Sequence, residues 1–311
     1  MRVVICEFMD ETAVARLAAL HESLYDATLV ERRDELKTRL ASARALIVRN
    51  RTNVDADLLA AAPLLRVIGR LGVGLDNIDT AACAARGIEV IPATGANALA
   101  VAEYVIATAM VLLRGAYFSS AAVAAGEWPR AALANGREIA GTTLGIVGFG
   151  GIGRLVAARA QGLAMRVIGC DPLVAPESPV WGAAQVEPRT LDQVLAEADV
   201  VTAHLPLTAA TRGMFDAARL ALMKAGAVLI NTSRGGIVDE AALAAALRSG
   251  ALGGAALDVY ALEPLPAGSP LAGCPDLILT PHIAGVTRES NVRVSTLIGE
   301  KVAAALATLA A

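Results

Sequence analysis

Cysteine is scarce and scattered in this chain. Cys6, Cys83, Cys170 and Cys274 are the whole supply, and no two stand at CxxC spacing. That spacing pattern excludes a zinc ribbon or dithiol motif and predicts buried thiols in a reducing cytoplasm, with no metal site. Aromatic residues make up only 3% of a chain that is 55% hydrophobic, so alanine and branched aliphatics must fill its interior. Neither sign of charge dominates: 27 Lys and Arg against 30 Asp and Glu leave a net charge of −3 and no basic block. Nucleic acid and anionic membrane surfaces therefore have nothing to hold, and neither is expected as a partner. Long apolar runs are missing too. The N-terminus MRVVICEFMDE meets acid at Glu7 and lacks the apolar core of a signal peptide, and the longest apolar stretch, Ala98 to Leu113, is interrupted by Glu103.

What is present is glycine in a telling place. Gly141 to Asp171 reads GTTLGIVGFGGIGRLVAARAQGLAMRVIGCD. Thr143 to Val147 is an apolar run short enough for a buried strand, and Gly148-x-Gly150-x-x-Gly153 follows at once. Ile152, Leu155, Val156, Arg159 and Ala160 then recur at helical spacing as far as Gly162, and Met165 to Gly169 reads as a second strand closing at Asp171. In such a βαβ unit one glycine reverses the chain tightly, one lets backbone approach a diphosphate, and one lets helix and strand pack closely. Amides at the helix start face an anion with the helix dipole behind them. Asp171, 18 residues after the third glycine, can accept both ribose hydroxyls and would repel a 2′-phosphate, which argues NAD over NADP. Methyltransferases use similar units, so the motif alone does not establish redox chemistry.

At 311 residues the length suggests about two domains. Short strand candidates lie at Arg2 to Cys6, Leu24 to Leu29, Ala45 to Val48, Arg66 to Gly69 and Glu89 to Ile91, with helical stretches at Glu11 to Leu20, Arg33 to Ala41 and Ala56 to Ala61 between them. This alternation predicts a first α/β layer over roughly residues 1–96. Asn97 to Gly115 reads as one long apolar helix, expected to be buried between domains or, preferably, against a second subunit. Strands recur at Val200 to Ala203, Ala227 to Ile230, Gly253 to Leu257 and Leu277 to Leu279, with helices from Leu191, Ala217 and Asp239. Val286 to Ala311 is a last helical stretch, expected to return to the first domain, whose own helices are too few to cover both faces of a sheet. The loosest segment is Asp171 to Pro188, with four prolines. The expected fold is α/β with two Rossmann-like domains: residues 1–96 and 286–311 as a split domain, and 97–285 as the dinucleotide domain inserted in it.

Polar residues suited to chemistry fall at strand exits of the second sheet, where ligands bind in doubly wound folds. Arg234 stands in NTSRGG, Glu263 in LDVYALEP and His282 in LTPHIAG, each following a separate strand. Reduction of a 2-oxo acid needs these three types. A fixed guanidinium can hold carboxylate and carbonyl oxygen together. An imidazole can give the oxygen a proton as hydride reaches carbon, and a carboxylate behind it favours the protonated ring and fixes its tautomer. Each also has an ordinary explanation, as a loop hydrogen-bonder, a solvated turn or a phosphate contact. Their joint placement favours catalysis.

These residues carry a resemblance. Over nearly its whole length the chain resembles the NAD-dependent D-isomer-specific 2-hydroxyacid dehydrogenases, through GRLGVGLDNID (Gly69 to Asp79), NALAVAEY (Asn97 to Tyr104), the glycine turn, HLPLTAATRG (His204 to Gly213), NTSRGGIVDE (Asn231 to Glu240), LDVYALEP and LTPHIAG. The resemblance implies a split substrate domain, an NAD domain between its halves, an active site in the cleft and a homodimer built on the long helix. It assigns Arg234, Glu263 and His282 to catalysis, Gly151 and Ile152 to the diphosphate, Leu205 and Pro206 to the adenosine side, Thr232 and Asp258 to the nicotinamide side, and Val73 and Gly74 to the loop that holds the substrate carboxylate. Gly151 replaces the Arg that many members carry, which touches only a diphosphate contact.

Subtype is read from VRNRT, Val48 to Thr52, with Arg70. Arg49, Asn50, Arg51 and Arg70 fall where the family binds the substrate side chain, and guanidiniums there suit a phosphate, sulfonate or second carboxylate better than a methyl or phenyl group. The competing explanation is salt bridging to Asp55, Asp76 or Asp79. VRNRT with GRLGVGLDNID looks most like the sulfolactate dehydrogenases, which implies (S)-sulfolactate plus NAD giving sulfopyruvate plus NADH. 3-Phosphoglycerate, or glycerate with hydroxypyruvate, is the alternative. Glu263 argues against formate oxidation, where the family pairs its histidine with glutamine, and a chain ending at the last helix is expected to lack an appended regulatory domain. An NAD-sensing corepressor is the reading of a different class.

Overall fold

A computed structural model describes residues 2–309. It divides the chain into two compact units, Met1–Asn97 with Val286–Ala311, and Ala98–Gly285, so the second unit is inserted within the first along the sequence. Among the described residues two sheets form, one of five strands and one of seven, and their strands pair in parallel throughout. Parallel strands need helical crossovers, and crossovers cover both faces; hence strands such as ALIV and TLGIV are apolar without a break.

The first unit alternates β1 (Val3–Ile5), α1 (Glu11–Leu20), β2 (Ser23–Tyr25), α2 (Arg33–Leu40), β3 (Ala45–Val48), α3 (Ala56–Ala60), β4 (Val67–Arg70), α4 (Thr80–Ala85) and β5 (Glu89–Pro92), in sheet order β2-β1-β3-β4-β5. Aspartates start its helices: Asp10, Asp55 and Asp79 each accept first-turn amides of α1, α3 and α4. The expected strand from Leu24 to Leu29 pairs only over β2. Beyond it the Asp26 carboxylate accepts from the Thr28 amide (2.9 Å) and hydroxyl (2.7 Å), a local turn that outcompetes the ladder.

The second unit runs α5 (Ala98–Arg114), α6 (Ser120–Ala124), β6 (Thr143–Val147), α7 (Gly151–Gly162), β7 (Arg166–Cys170), α8 (Pro179–Ala183), β8 (Glu187–Pro188), α9 (Leu191–Glu197), β9 (Val200–Ala203), α10 (Ala217–Leu220), β10 (Val228–Asn231), α11 (Glu240–Arg248), β11 (Gly254–Leu257) and β12 (Leu277–Leu279). Its sheet order is β12-β11-β10-β9-β6-β7-β8, so the order reverses between β6 and β9. The proline-rich stretch is more ordered than its composition suggests, because Trp181 of α8 stacks on Phe149 with ring centroids 4.4 Å apart.

The long helix α5 corrects an expectation. It is not apolar on all sides: Ala102, Val105, Ala109, Leu112 and Leu113 join the core with Leu144, Ile146, Val228 and Ile230, while Glu103, Ala107, Met110 and Arg114 are exposed. Its burial comes from the sheet of its own unit, which needs a helix layer on that face.

The chain returns to the first unit at α12 (Arg288–Thr308), opened by a capping box in which Thr287 and Ser290 satisfy each other's amides. Val294, Ile298, Val302 and Leu306 close the sheet face that carries Val3, Ile5, Ala45, Ile47 and Val67. Gly69 allows this approach, since a Cβ there would lie 2.6 Å from Ile298 Cγ2. Of the terminal stretch expected to be helical, residues 310 and 311 lie outside the described residues, as does Met1.

Candidate active site

The order reversal between β6 and β9 opens the sheet edge where ligands enter doubly wound folds. Gly148 turns there with φ +99°, and a Cβ on it would lie 2.4 Å from the His204 carbonyl at the exit of β9. Gly153 is equally constrained, because a Cβ would meet the Gly148 carbonyl at 2.4 Å and push α7 off β6. Gly150 and Gly151 face open space instead, and no side chain caps α7. The turn thus presents bare backbone at the positive end of a helix, the chemistry a diphosphate needs. Asp171 hangs over it from β7: one oxygen accepts from the Phe149 amide (2.7 Å), the other from Leu173 (2.8 Å). Its remaining lone pairs are acceptors suited to ribose hydroxyls.

Two further observations fit a dinucleotide. The Thr232 hydroxyl after β10 is buried without a hydrogen-bond partner, a cost that a bound carboxamide or hydroxyl would remove. Leu205 is buried beside the turn and Pro206 is exposed, with the Pro206 carbonyl held by the Thr211 hydroxyl at 2.7 Å. Ile152 is half-buried against the core.

His204, whose ring lies 3.1 Å from the Thr202 hydroxyl, is pushed down to about 4 by burial. Between that value and the ordinary one near 6.5 the unfolded chain binds a proton that the folded chain refuses, so stability rises with pH across this window and is lost as pH falls through it. Chemical denaturation from pH 7 to 4.5 should show the loss, up to about 3 kcal/mol from this group, and His204→Asn should flatten the slope. An unchanged slope in that variant would assign the acid sensitivity elsewhere.

The three strand exits on the other side deliver the expected side chains. β10, β11 and β12 are sheet neighbours, and Arg234, Glu263 and His282 follow them in turn. His282 Nδ1 lies 2.8 Å from Glu263 Oε2. An ionised carboxylate can only accept, so Nδ1 carries the hydrogen and Nε2 is left for a reacting group. Glu263 Oε1 accepts from the Tyr260 amide at 3.1 Å, which fixes the carboxylate from its own loop. Arg234 is half-buried and Nη1 donates to the Ser233 carbonyl at 2.6 Å. Gly235 joins the exits: a Cβ there would lie 1.7 Å from the Tyr260 carbonyl, so the Arg234 turn rests directly on the Glu263 loop.

The supporting residues were not legible as such. Asn231, 1% exposed, accepts from the Ser233 amide (3.0 Å) and hydroxyl (2.7 Å) and donates to the Arg234 carbonyl (3.0 Å), which shapes the turn. Asp258 is equally buried. Its carboxylate accepts from the Thr280 hydroxyl (2.6 Å) and the amides of Ile283 (2.7 Å) and Ala284 (2.8 Å). Asp258 therefore pins the His282 turn, a task the sequence signalled only through its place in LDVYALEP.

In the first unit, Arg49 and Arg70 stand at the ends of the paired strands β3 and β4. The Arg49 guanidinium lies over the Phe8 ring, 5.8 Å from its centroid, and donates to the neutral Asn291 amide oxygen at 2.9 Å. Burial presses its pKa downward while the nearby Glu7 charge opposes this. Arg70 is half-buried, with Nη1 donating to the Leu71 carbonyl at 3.1 Å beside Gly72. Arg51 departs from the group: it is exposed and pairs with Glu31 at 3.1 Å. Two of the competing partners are engaged elsewhere, Asp55 by Arg33 and Asp79 by capping α4. Glu7, 4% exposed, was missed; it accepts the amides of Arg49 (2.8 Å), Arg51 (3.1 Å) and Thr52 (3.0 Å) and so holds the whole VRNRT turn. Asn50 and Val73 are exposed and Gly74 is half-buried in the neighbouring loops.

Residues 106–284 match the model of the D-isomer specific 2-hydroxyacid dehydrogenase NAD binding domain. The chain belongs to this family. It is an NAD-dependent 2-hydroxyacid dehydrogenase. An (S)-sulfolactate dehydrogenase of Chromohalobacter salexigens is 55% identical over 304 residues, 98% of either chain. A D-3-phosphoglycerate dehydrogenase of Mycobacterium leprae is 42% identical over 302 residues, 96% of this chain but 56% of that one. The chain thus spans about half the length of that relative. The solved NAD-dependent formate dehydrogenase of Staphylococcus aureus, in complex with NAD, is 28% identical with a TM-score of 0.82 over 97% of this chain and 94% of its own. Among the described residues no cluster of metal-ligating side chains occurs, and no single helix is long and apolar enough to cross a membrane.

Proposed function

We propose that the enzyme interconverts a D-configured 2-hydroxy acid bearing a second anionic group with its 2-oxo acid, and that the pair is (S)-sulfolactate and sulfopyruvate. The observation that carries the substrate assignment is Arg49, a half-buried guanidinium whose side-chain bond goes to a neutral amide. With no carboxylate in that bond, the guanidinium is open to a sulfonate. The 55% identical relative named for sulfolactate supports the same reading. Because sulfur outranks carboxyl in priority, the D-configured alcohol takes the label S.

In the reductive direction the glycine turn, Asp171 and Thr232 would hold NADH, which would supply the hydride for the carbonyl carbon. Arg234 binds the carboxylate and carbonyl oxygens and draws charge from the reacting carbon. His282 gives its Nε2 proton to that oxygen, and Glu263 steadies the ring as its charge changes. One ketone, one hydride and one proton yield one alcohol, and oxidation runs the same steps backward. Val73 and Gly74 are the candidates for the substrate carboxylate, and Arg70 is the second candidate for the anionic group.

An NADH-oxidation panel of sulfopyruvate, phosphohydroxypyruvate, hydroxypyruvate, oxaloacetate and pyruvate should rank sulfopyruvate first by kcat/KM. Arg49→Gln should lower that value about 10- to 100-fold and leave pyruvate within about threefold, the worth of one charge-assisted contact. Preference for an uncharged side chain would sink the arginine argument, and phosphohydroxypyruvate in first place would favour the reading suggested by the 42% relatives.

We also infer a cytoplasmic homodimer. Four free thiols suit a reducing compartment. Met110 on the outer face of α5, with Tyr117, Phe118, Val123 and Trp128 just beyond it, forms an exposed apolar group that a second copy would cover. Light scattering on the purified protein should give about twice the 31.8 kDa chain mass, and a monomer at micromolar concentration would refute the assembly.

A further inference from the structure

One sequence motif, NALAVAEY, plays no part in the chemistry described so far, yet its tyrosine reaches the catalytic turn. Tyr104 lies on α5, and its hydroxyl is 2.6 Å from the Thr280 hydroxyl. Thr280 is 2.6 Å from Asp258 Oδ1. The direction of this chain is fixed by chemistry. The carboxylate can only accept, so the single Thr280 proton goes to Asp258, and Tyr104 must donate to Thr280. Burial and the nearby Asp258 charge both push the Tyr104 phenol upward, which keeps it a donor at any working pH.

Downstream, Asp258 holds three successive amides. Its backbone carbonyl accepts from His282 (2.9 Å), and its carboxylate from Ile283 (2.7 Å) and Ala284 (2.8 Å). Those amides hold His282 at φ +57°, a left-handed conformation uncommon for any residue but glycine. Tyr260 steadies the same turn from the other side, its hydroxyl reaching the carbonyls of Leu257 (3.0 Å) and Thr280 (2.8 Å).

We propose that Tyr104 and Thr280 are positioning residues, which act through Asp258 to hold His282 at the angle from which its imidazole bonds Glu263 and delivers its proton. Neither touches substrate. The proposal rests on His282 being the acid/base of the preceding section, and it makes the outer helix α5 part of the catalytic apparatus.

The test compares Tyr104→Phe, Thr280→Val and Thr280→Ser in the full-length, NADH-loaded enzyme, with the best 2-oxo acid of the panel. Thr280→Val should lower kcat about 10- to 100-fold and Tyr104→Phe about 3- to 10-fold, with KM and NADH affinity within about twofold; Thr280→Ser should recover most of the rate. The chain has only 3 histidines, so 15N-histidine spectra are readily assigned with a His282→Gln control. The His282 resonances should move in Thr280→Val, stay near wild type in Thr280→Ser, and leave those of His21 untouched. Undiminished kcat in Thr280→Val, no rescue by serine, or a lost rate with unmoved His282 signals each overturns the proposal. An enzyme inactive on every 2-oxo acid would refute the functional reading instead, while the histidine spectra would still decide this one.

Discussion

Replacing His282 by Gln lowers turnover about 10²- to 10⁴-fold in both directions while NADH binding, followed by fluorescence, stays within about twofold. The asymmetry follows from where the ring sits. It is half-exposed at the exit of β12 with Nδ1 engaged by Glu263, so its loss removes the proton donor and leaves the glycine turn at β6 intact. Glutamine keeps a hydrogen-bonding amide of similar reach but cannot trade a proton. The pH behaviour has a definite sign. Ketone reduction takes a proton from the ring and alcohol oxidation returns one to it, so the wild-type rates in the two directions should respond oppositely to pH. Both trends vanish in the variant. Full turnover by His282→Gln would mean that the 2.8 Å pair is structural, and would favour a protein that senses NAD without using it.

Replacement of Arg234 by Lys is the second large effect, with an expected fall in kcat/KM of about 10²- to 10³-fold. Lysine preserves the charge, but a rigid guanidinium fork can address a carboxylate and a carbonyl oxygen together, and an ammonium cannot. The turn itself should survive, since Asn231 shapes it through the Arg234 carbonyl (3.0 Å) and Gly235 packs by backbone alone. The loss should therefore appear with NADH affinity and melting temperature near wild type. Arg234→Lys retaining more than about a third of kcat/KM would show that the polarising charge comes from another group.

The dinucleotide unit was legible in the sequence because everything that makes it is local. The predicted bounds of β6 and α7 agree with the structure residue for residue, since an apolar run, three glycines and a helical repeat leave the backbone few alternatives. The exits carrying Arg234, Glu263 and His282 were legible for the same reason: each follows a short apolar strand within a few residues.

Other features depended on partners far along the chain. Arg51 stood beside Arg49 in the sequence as an equal candidate, yet Glu31, 20 residues away, takes its guanidinium. Nothing in MRVVICEF marks Glu7 as the clamp of a turn more than 40 residues later. The partner of α5 was also hidden, because composition records that a helix is apolar but not which surface will cover it.

By itself, then, the sequence determined the parallel α/β alternation, the glycine turn and the three groups proposed to do the chemistry, all written in periodicity and short spacings. Tertiary structure alone decided that Arg51 pairs with Glu31 while Arg49 reaches Asn291, and how Tyr104 comes within 2.6 Å of a threonine 176 residues away. A side chain's reach and its competitors are set by packing in three dimensions, and no local pattern encodes them.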